Sequence, residues 1–180
     1  MLFIDFEASD FTGFPIEVGF SKVNKNKEVE THSKIIYYQG WLDDIARWNP
    51  SSEKIHNISK QQIINEGETP SIVMAWLNEQ LGTGVVFSDN PYHDTSWLLE
   101  LSNIARIEPT FLIHDMRIAL SGSEIDHIAT KQEVNMVAQH THRAGDDSAE
   151  LAFWYIMSMR NDGNVKRMYY ENRTFIMRDL

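Results

Sequence analysis

The chain contains no cysteine, so neither a disulfide nor a thiolate-bound zinc ion is available to it. Long hydrophobic runs are also missing, because no stretch approaches the ~20 apolar residues that a membrane span requires. No basic segment followed by a long apolar run precedes the first residues, which lead directly into a structured pattern. We therefore expect a cytoplasmic protein that has no membrane partner.

Positive charge is scarce, with 16 Lys and Arg against 26 Asp and Glu and a formal net charge of −10. This balance argues against broad electrostatic binding to a polyanion. The segment 160–180 differs, because it carries five basic and three acidic residues. An acidic enzyme could therefore still hold nucleic acid locally, through bound divalent cations and a small basic patch.

The length of 180 residues and a hydrophobic content of 42% are typical of one globular domain, expected over 1–180 with an extension at 160–180. Part of that extension, 168–177, fits either a last strand or a packed tail. Strands are predicted at 2–8, 16–23, 28–38, 84–88 and 110–115, and helices at 42–48, 59–65, 71–81, 94–106, 125–139 and 144–159. Three strands followed by strands that alternate with helices indicate an α/β sandwich around a mixed sheet.

Two carboxylates interrupt the first apolar strand. Asp5 and Glu7 are two residues apart, so their side chains should emerge on the same face. Burying an unpaired carboxylate is costly, and a divalent cation is one standard remedy. The alternative is that this face of the strand is simply exposed to solvent.

A second acidic position follows the predicted strand 84–88. Asp94 could present a metal-facing carboxylate from the start of the next helix, because loops at the carboxyl ends of strands are where α/β sheets place their sites. Asp is also a favoured N-cap, and for Asp94 alone the capping interpretation is the stronger one. Asp89 competes for any acidic role in this segment.

The third signature is His142 followed five residues later by Asp147, at the start of the helix predicted over 144–159. If Asp147 holds a metal ion, His142 is placed to remove a proton from water near neutral pH. His140 lacks that spacing. Taken together, four acids need roughly two divalent cations to balance them, and two hard metal ions ~4 Å apart form the clamp used in phosphodiester hydrolysis.

The ordered set of Asp5-x-Glu7, Asn90-x-x-x-Asp94 and His142-x-x-x-x-Asp147 resembles the DEDDh branch of the 3′–5′ exonuclease superfamily, which includes ribonuclease T and oligoribonuclease. The resemblance covers about 2–157. It is supported by Pro-Ile-Glu-Val-Gly at 15–19, by Ile-His-Asn-Ile-Ser at 55–59, and by Arg-Ala at 143–144. A Tyr at position 143 would have marked the sister branch instead.

This resemblance implies an RNase H-like three-layer sandwich with a five-stranded mixed sheet in the order 3-2-1-4-5 and an antiparallel second strand. It implies two divalent metal ions, Mg²⁺ or Mn²⁺. Asp5, Glu7 and Asp147 would bind one ion, while Asp5, with Asp94 through water, would serve the second. His142 would be the general base.

Substrate contacts are implied at Glu7, which would hold the terminal 3′-hydroxyl, and at Phe11 or Phe14, either of which could stack on the terminal base or close the core. His93 replaces an apolar residue that is common in the family, so it lies either against the substrate or at the surface.

The expected activity is removal of nucleoside 5′-monophosphates from the 3′ end of single-stranded DNA or RNA. The alternatives are an oligoribonuclease-like enzyme for very short oligonucleotides and a non-catalytic nucleic-acid-binding or protein-interaction module. A homodimer is possible, and the choice between DNA and RNA stays open.

Overall fold

The computed structural model describes residues 1–121, 128, 130–132, 134 and 141–159. The predicted extension 160–180 and much of the predicted helix at 125–139 lie outside these residues. The five described positions within 125–139 are helical. Within the described ranges, no helix is both long and apolar enough to cross a bilayer.

Five strands form one sheet: β1 (Leu2–Ala8), β2 (Pro15–Val23), β3 (Val29–Ile35), β4 (Gly84–Ser88) and β5 (Phe111–Asp115). Their spatial order is β3-β2-β1-β4-β5. Strand β2 is antiparallel to both of its neighbours, whereas β4 is parallel to β1 and β5. The predicted order and the antiparallel second strand are confirmed.

The helices are α1 (Gln39–Leu42), α2 (Pro50–His56), α3 (Lys60–Glu66), α4 (Pro70–Leu81), α5 (Pro91–Ala105), α6 (Met116–Leu120) and α7 (Ala144–Ser158), with a 3-10 turn at Ile45–Arg47. The prediction of one helix over 42–48, ended by Asn49 and Pro50, is wrong. The Asn49 side chain accepts a hydrogen bond from the Ser51 amide at 2.9 Å, and Pro50 is the first residue of α2. Proline has no amide hydrogen to donate and has a helical φ, so this pair begins a helix.

Asp94 does not cap α5, which corrects the interpretation favoured for that residue alone. The N-cap is Asn90, Pro91 is the first helical residue, and Asp94 lies in the first turn with its side chain buried. The helix therefore begins three residues earlier than predicted. Because Asn90 is the N-cap, the Asp94 carboxylate does not cap the helix and instead lies buried in the interior of the protein.

Two hydrophobic clusters lie on opposite faces of the sheet, because successive side chains of β1 point in opposite directions. Ile4 and Phe6 pack into the cluster that includes residues of α4 and α5. Phe3 packs into the cluster formed with α6 and α7. The result is the expected three-layer sandwich, and the second face also carries Asp5 and Glu7.

Helix α7 begins directly over a cradle of small residues on β2 and β3. A Cβ atom at Gly19 would overlap the carbonyl group of Ala144, and Gly145 packs against the side chain of Ser33. Further along the helix, the Ser148 hydroxyl lies 3.0 Å from that of Ser21. The absence of a side chain at Gly19 therefore determines how closely the first turn of α7 approaches the sheet.

We expect Gly19→Ala to destabilise the protein by about 3 kcal/mol, because the new methyl group would displace the backbone at the start of α7. Urea unfolding of the purified variant measures this change. Gly84→Ala is the matched control, since a Cβ there meets nothing within 4 Å. Equal stability of Gly19→Ala and the wild type would show that α7 is not held at this distance.

Candidate active site

A pocket of about 520 Å³ opens at the carboxyl ends of β1 and β4, beside the first turns of α5 and α7. All four acids and the histidine expected from the motifs line it. The remaining lining residues are Phe6, Phe11, Asp89, Asn90, Trp97, Lys131, Val134, Glu150, Leu151 and Trp154. The fold therefore brings together three segments that are far apart in the chain.

One side of the pocket combines β1 with the start of α7. A carboxylate oxygen of Glu7, a ring nitrogen of His142 and a carboxylate oxygen of Asp147 lie within 4.8 Å of one another. Such a spacing allows all three atoms to contact one cation. His142 is therefore close enough to be a metal ligand, which is a role that the sequence motif did not suggest.

Asp94 is the most enclosed of the four acids, with 1% of its surface exposed. The Ser88 hydroxyl donates a hydrogen bond to its carboxylate, and the backbone amide of Phe6 donates another. The Ser88 hydroxyl in turn accepts from the Asn90 amide at 2.9 Å. Burial nevertheless raises the pKa of Asp94 to about 8, because the two hydrogen bonds only partly offset the loss of hydration.

Asp5 and Asp147 also resist ionisation. Burial, followed by repulsion from Asp94 and Asp147, raises the pKa of Asp5 well above its ordinary range. Burial raises the pKa of Asp147 to about 8, and Glu150 adds to the effect. Removing water from closely spaced carboxylates favours their protonated forms unless a cation is supplied. The donor set, mostly hard oxygen atoms, fits a divalent ion such as Mg²⁺ or Mn²⁺.

His142 has a left-handed backbone, with φ of 50°. It lies just before Arg143, which is the N-cap of α7, and Asp147 is in the first turn of that helix. The spacing of five residues therefore spans a sharp turn followed by one helical turn. This geometry explains why the histidine and the carboxylate face the same pocket.

The aromatic residues expected to contact substrate have different surroundings. Phe11 lines the pocket with 73% of its surface exposed, and its ring centre lies 5.6 Å from that of His93. His93 also contacts Trp97, another lining residue. Phe14 is 1% exposed and stacks on Trp41, so the substrate-stacking interpretation is wrong for Phe14, which closes the core.

The motifs did not predict every polar residue of the pocket. Lys131 makes an ion pair of 2.6 Å with Asp89, and its ammonium lies 4.8 Å from the centre of the Trp154 ring. Glu150 adds a sixth carboxylate. Its position three residues after Asp147 on a helix was the available signal, because residues spaced this way lie on one face. No local pattern marked Lys131.

A mixed sheet in the order 3-2-1-4-5, flanked by helices and with an acidic pocket at the ends of β1 and β4, defines an RNase H-like fold of the kind found in exonucleases. No protein-family model and no curated protein sequence matches the chain. Solved structures do match it, among them exonuclease I, exonuclease X and a 3′-exonuclease. The expected resemblance is thus confirmed at the level of the fold.

Three of these structures illustrate the similarity. E. coli exonuclease I with single-stranded DNA has a TM-score of 0.63 and 14% identity, over 98% of this chain and 44% of the other. Exonuclease X with 5′-overhanging duplex DNA has a TM-score of 0.55 and 16% identity, over 93% and 98%. A full-length 3′-exonuclease has a TM-score of 0.61 and 16% identity, over 86% and 58%. The chain spans less than half the length of exonuclease I.

The raised pKa values predict how stability depends on pH in the metal-free protein. Asp94 and Asp147 have pKa values near 8 in the folded chain, above the ordinary value of 3.8, so the folded state binds more protons than the unfolded state between these values. Their contribution is fully present below about pH 4 and is lost as the pH rises through 8. We expect the Tm to fall by several degrees between pH 5 and pH 9.

Calorimetry in EDTA measures this fall in Tm with pH. The fall should be smaller in Asp94→Asn, because the amide does not ionise. Saturating Mg²⁺ or Mn²⁺ should raise the Tm most at the alkaline end, where the carboxylates are charged. A Tm that rises with pH in EDTA would contradict the assigned shifts.

Proposed function

We propose that the chain is a metal-dependent exonuclease that hydrolyses phosphodiester bonds from the 3′ end of single-stranded nucleic acid and releases nucleoside 5′-monophosphates. The convergence of Asp5, Glu7, Asp94, Asp147 and His142 on one pocket is the observation that carries this proposal. A non-catalytic module has no use for four costly carboxylates beside a histidine.

Asp5, Glu7 and Asp147 would hold one divalent ion, and Asp5, with Asp94 through water, would hold a second. When bound, such ions would neutralise the carboxylates and stabilise the negative charge that develops on the phosphate. The enclosure of Asp94 by Ser88 and the Phe6 amide fixes its carboxylate in one orientation. Asp94 therefore offers a fixed carboxylate against which a phosphodiester can be oriented.

His142 would accept a proton from the attacking water. Imidazole suits this role because its unperturbed pKa lies near neutrality. The left-handed turn at His142 places the ring among the carboxylates, which would stabilise the imidazolium that forms. The proximity of His142 to Glu7 and Asp147 also permits direct metal coordination, and the two roles differ in what the loss of the ring does to metal affinity.

Specificity for a 3′ end would come from Glu7 and from the aromatic edge formed by Phe11 and His93. Phe11 is exposed at the pocket and can stack on the terminal base, an interaction that tolerates any base because all have a π-face. Glu7 would accept a hydrogen bond from the terminal 3′-hydroxyl. Phe11→Ala should consequently weaken substrate binding more than turnover.

An enzyme restricted to very short oligonucleotides is the second candidate. Among the described lining residues, Lys131 is the only lysine or arginine, and it is already paired with Asp89. Few basic side chains are thus available in this pocket to bind the phosphates of a longer strand, which favours short substrates.

The direct test is hydrolysis of end-labelled DNA, RNA and dinucleotides in Mg²⁺ or Mn²⁺. We expect the wild type to release single nucleotides. These products should disappear in EDTA, which removes the metal ion, and in Asp5→Asn, because an amide has no charge to balance that of a bound cation. Action only on substrates of a few nucleotides would select the second candidate. Binding of nucleic acid without cleavage in either metal would overturn catalysis.

For His142→Ala we expect turnover to fall by roughly 10² to 10⁴, the usual contribution of a general base. The affinity for Mn²⁺, measured by calorimetric titration, should stay within about threefold of the wild type if the ring acts only on protons. A loss of metal affinity as large as that of Asp147→Asn would show instead that His142 is a ligand. His32→Ala, which changes an exposed histidine outside the pocket, is the control.

A further inference from the structure

One strongly buried charge lies outside the proposed catalytic set. Glu17 is 1% exposed and stands on β2 directly opposite Glu7 of β1. A carboxylate in such a position is costly unless its oxygens are satisfied. Its contacts therefore indicate what the residue is for.

Both oxygens of Glu17 bind the chain just after His142. The Arg143 guanidinium donates from Nε to Oε2 at 2.9 Å and from Nη2 to Oε1 at 2.7 Å. The Ala144 amide, the first of α7, donates to Oε2 at 3.0 Å, and the Ser33 hydroxyl donates to Oε1 at 3.2 Å. A bidentate, charge-assisted pair is both strong and directional. Glu17 thereby fixes the N-cap of α7 from below.

These contacts from Glu17 to Arg143 and Ala144, the Glu17 clamp, act on residues that lie between His142 and Asp147. Arg143 and Ala144 are the first two of the four residues between His142 and Asp147, and His142 has the uncommon left-handed φ of 50°. A non-glycine residue stays in that region only where its surroundings determine the backbone. The contacts to Arg143 and Ala144 supply such a constraint on the carboxyl side of His142.

From these contacts we infer that Glu17 is a positioning residue, which through Arg143 and the Ala144 amide holds His142 and the first turn of α7 in the geometry required by the pocket. The inference rests on the proposed function for its catalytic consequence. The structural consequence, a fixed orientation of the His142 ring, does not depend on it.

The protonation state of His56 supports the assignment of Arg143 as the cation that pairs with Glu17. Its Nδ1 accepts a hydrogen bond from the Ile58 amide at 3.0 Å, so in the neutral ring the proton is on Nε2, which is buried and has no partner among the described residues. Burial lowers the pKa of His56 to about 4, against the attraction of Glu17. A neutral His56 cannot replace the charge of Arg143.

The test compares Glu17→Gln with Glu68→Gln, which removes the carboxylate of the Lys34–Glu68 pair, away from the pocket. We expect Glu17→Gln to lower kcat by roughly tenfold to a hundredfold with KM within about threefold, because misplacing a reacting group by about 1 Å can cost a hundredfold. NMR of the metal-free protein should show shifted His142 imidazole resonances in Glu17→Gln but not in Glu68→Gln, with His142→Ala providing the assignment.

Arg143→Lys, which keeps the charge but loses the bidentate geometry, should show the same changes to a smaller extent and covers the case in which Glu17→Gln does not fold. Unshifted His142 resonances, or equal effects in Glu68→Gln, would overturn the positioning role. If the wild type cleaves no substrate, the proposed function fails, whereas the resonances still decide the role of Glu17.

Discussion

The close approach of the first turn of α7 to the backbone of Gly19 is the constraint on which the side of the pocket formed by β1 and α7 depends. His142 and Asp147 belong to the start of this helix, whereas Asp5 and Glu7 belong to the neighbouring strand β1. A side chain at Gly19 would separate the two groups. The small residues that surround the contact, and the carboxylate of Glu17 beneath the N-cap, keep the helix at a distance that brings His142 and Asp147 close to Glu7 of the sheet.

Closeness of this kind has an electrostatic cost. Burial and repulsion from neighbouring carboxylates raise the pKa values of Asp5, Asp94 and Asp147, so without a compensating cation these acids favour their protonated forms at neutral pH. The hydrophobic clusters on both faces of the sheet contribute the folding free energy that offsets this electrostatic cost. A cluster of acids that is unfavourable by itself has the electrostatic character expected of the metal-assisted chemistry that we propose.

Much of the secondary structure follows from local patterns. Strands β1 and β4 and helix α7 match their predicted ranges to within a residue, because each has a clear hydrophobic period bounded by turn residues. The failures came where one local signal has two meanings. Asn49-Pro50 can end one helix or begin the next, and the local sequence around Asp94 is compatible both with an N-cap and with a buried acid. Phe14 and Phe11 are likewise equivalent in the sequence, but only Phe11 is exposed.

The order of the strands and the set of four acids and one histidine that line the pocket were predictable from the ordered motifs and their resemblance to a known family, whereas strand periodicity alone predicted only that Asp5 and Glu7 share a face. The contacts between different elements follow only from the way the chain packs in three dimensions. The Ser88 contact to Asp94, the ion pair of Lys131 with Asp89, and the clamp of Glu17 on Arg143 join residues from 6 to 126 positions apart. Such pairings depend on how closely helices approach the sheet, a distance that no local pattern encodes.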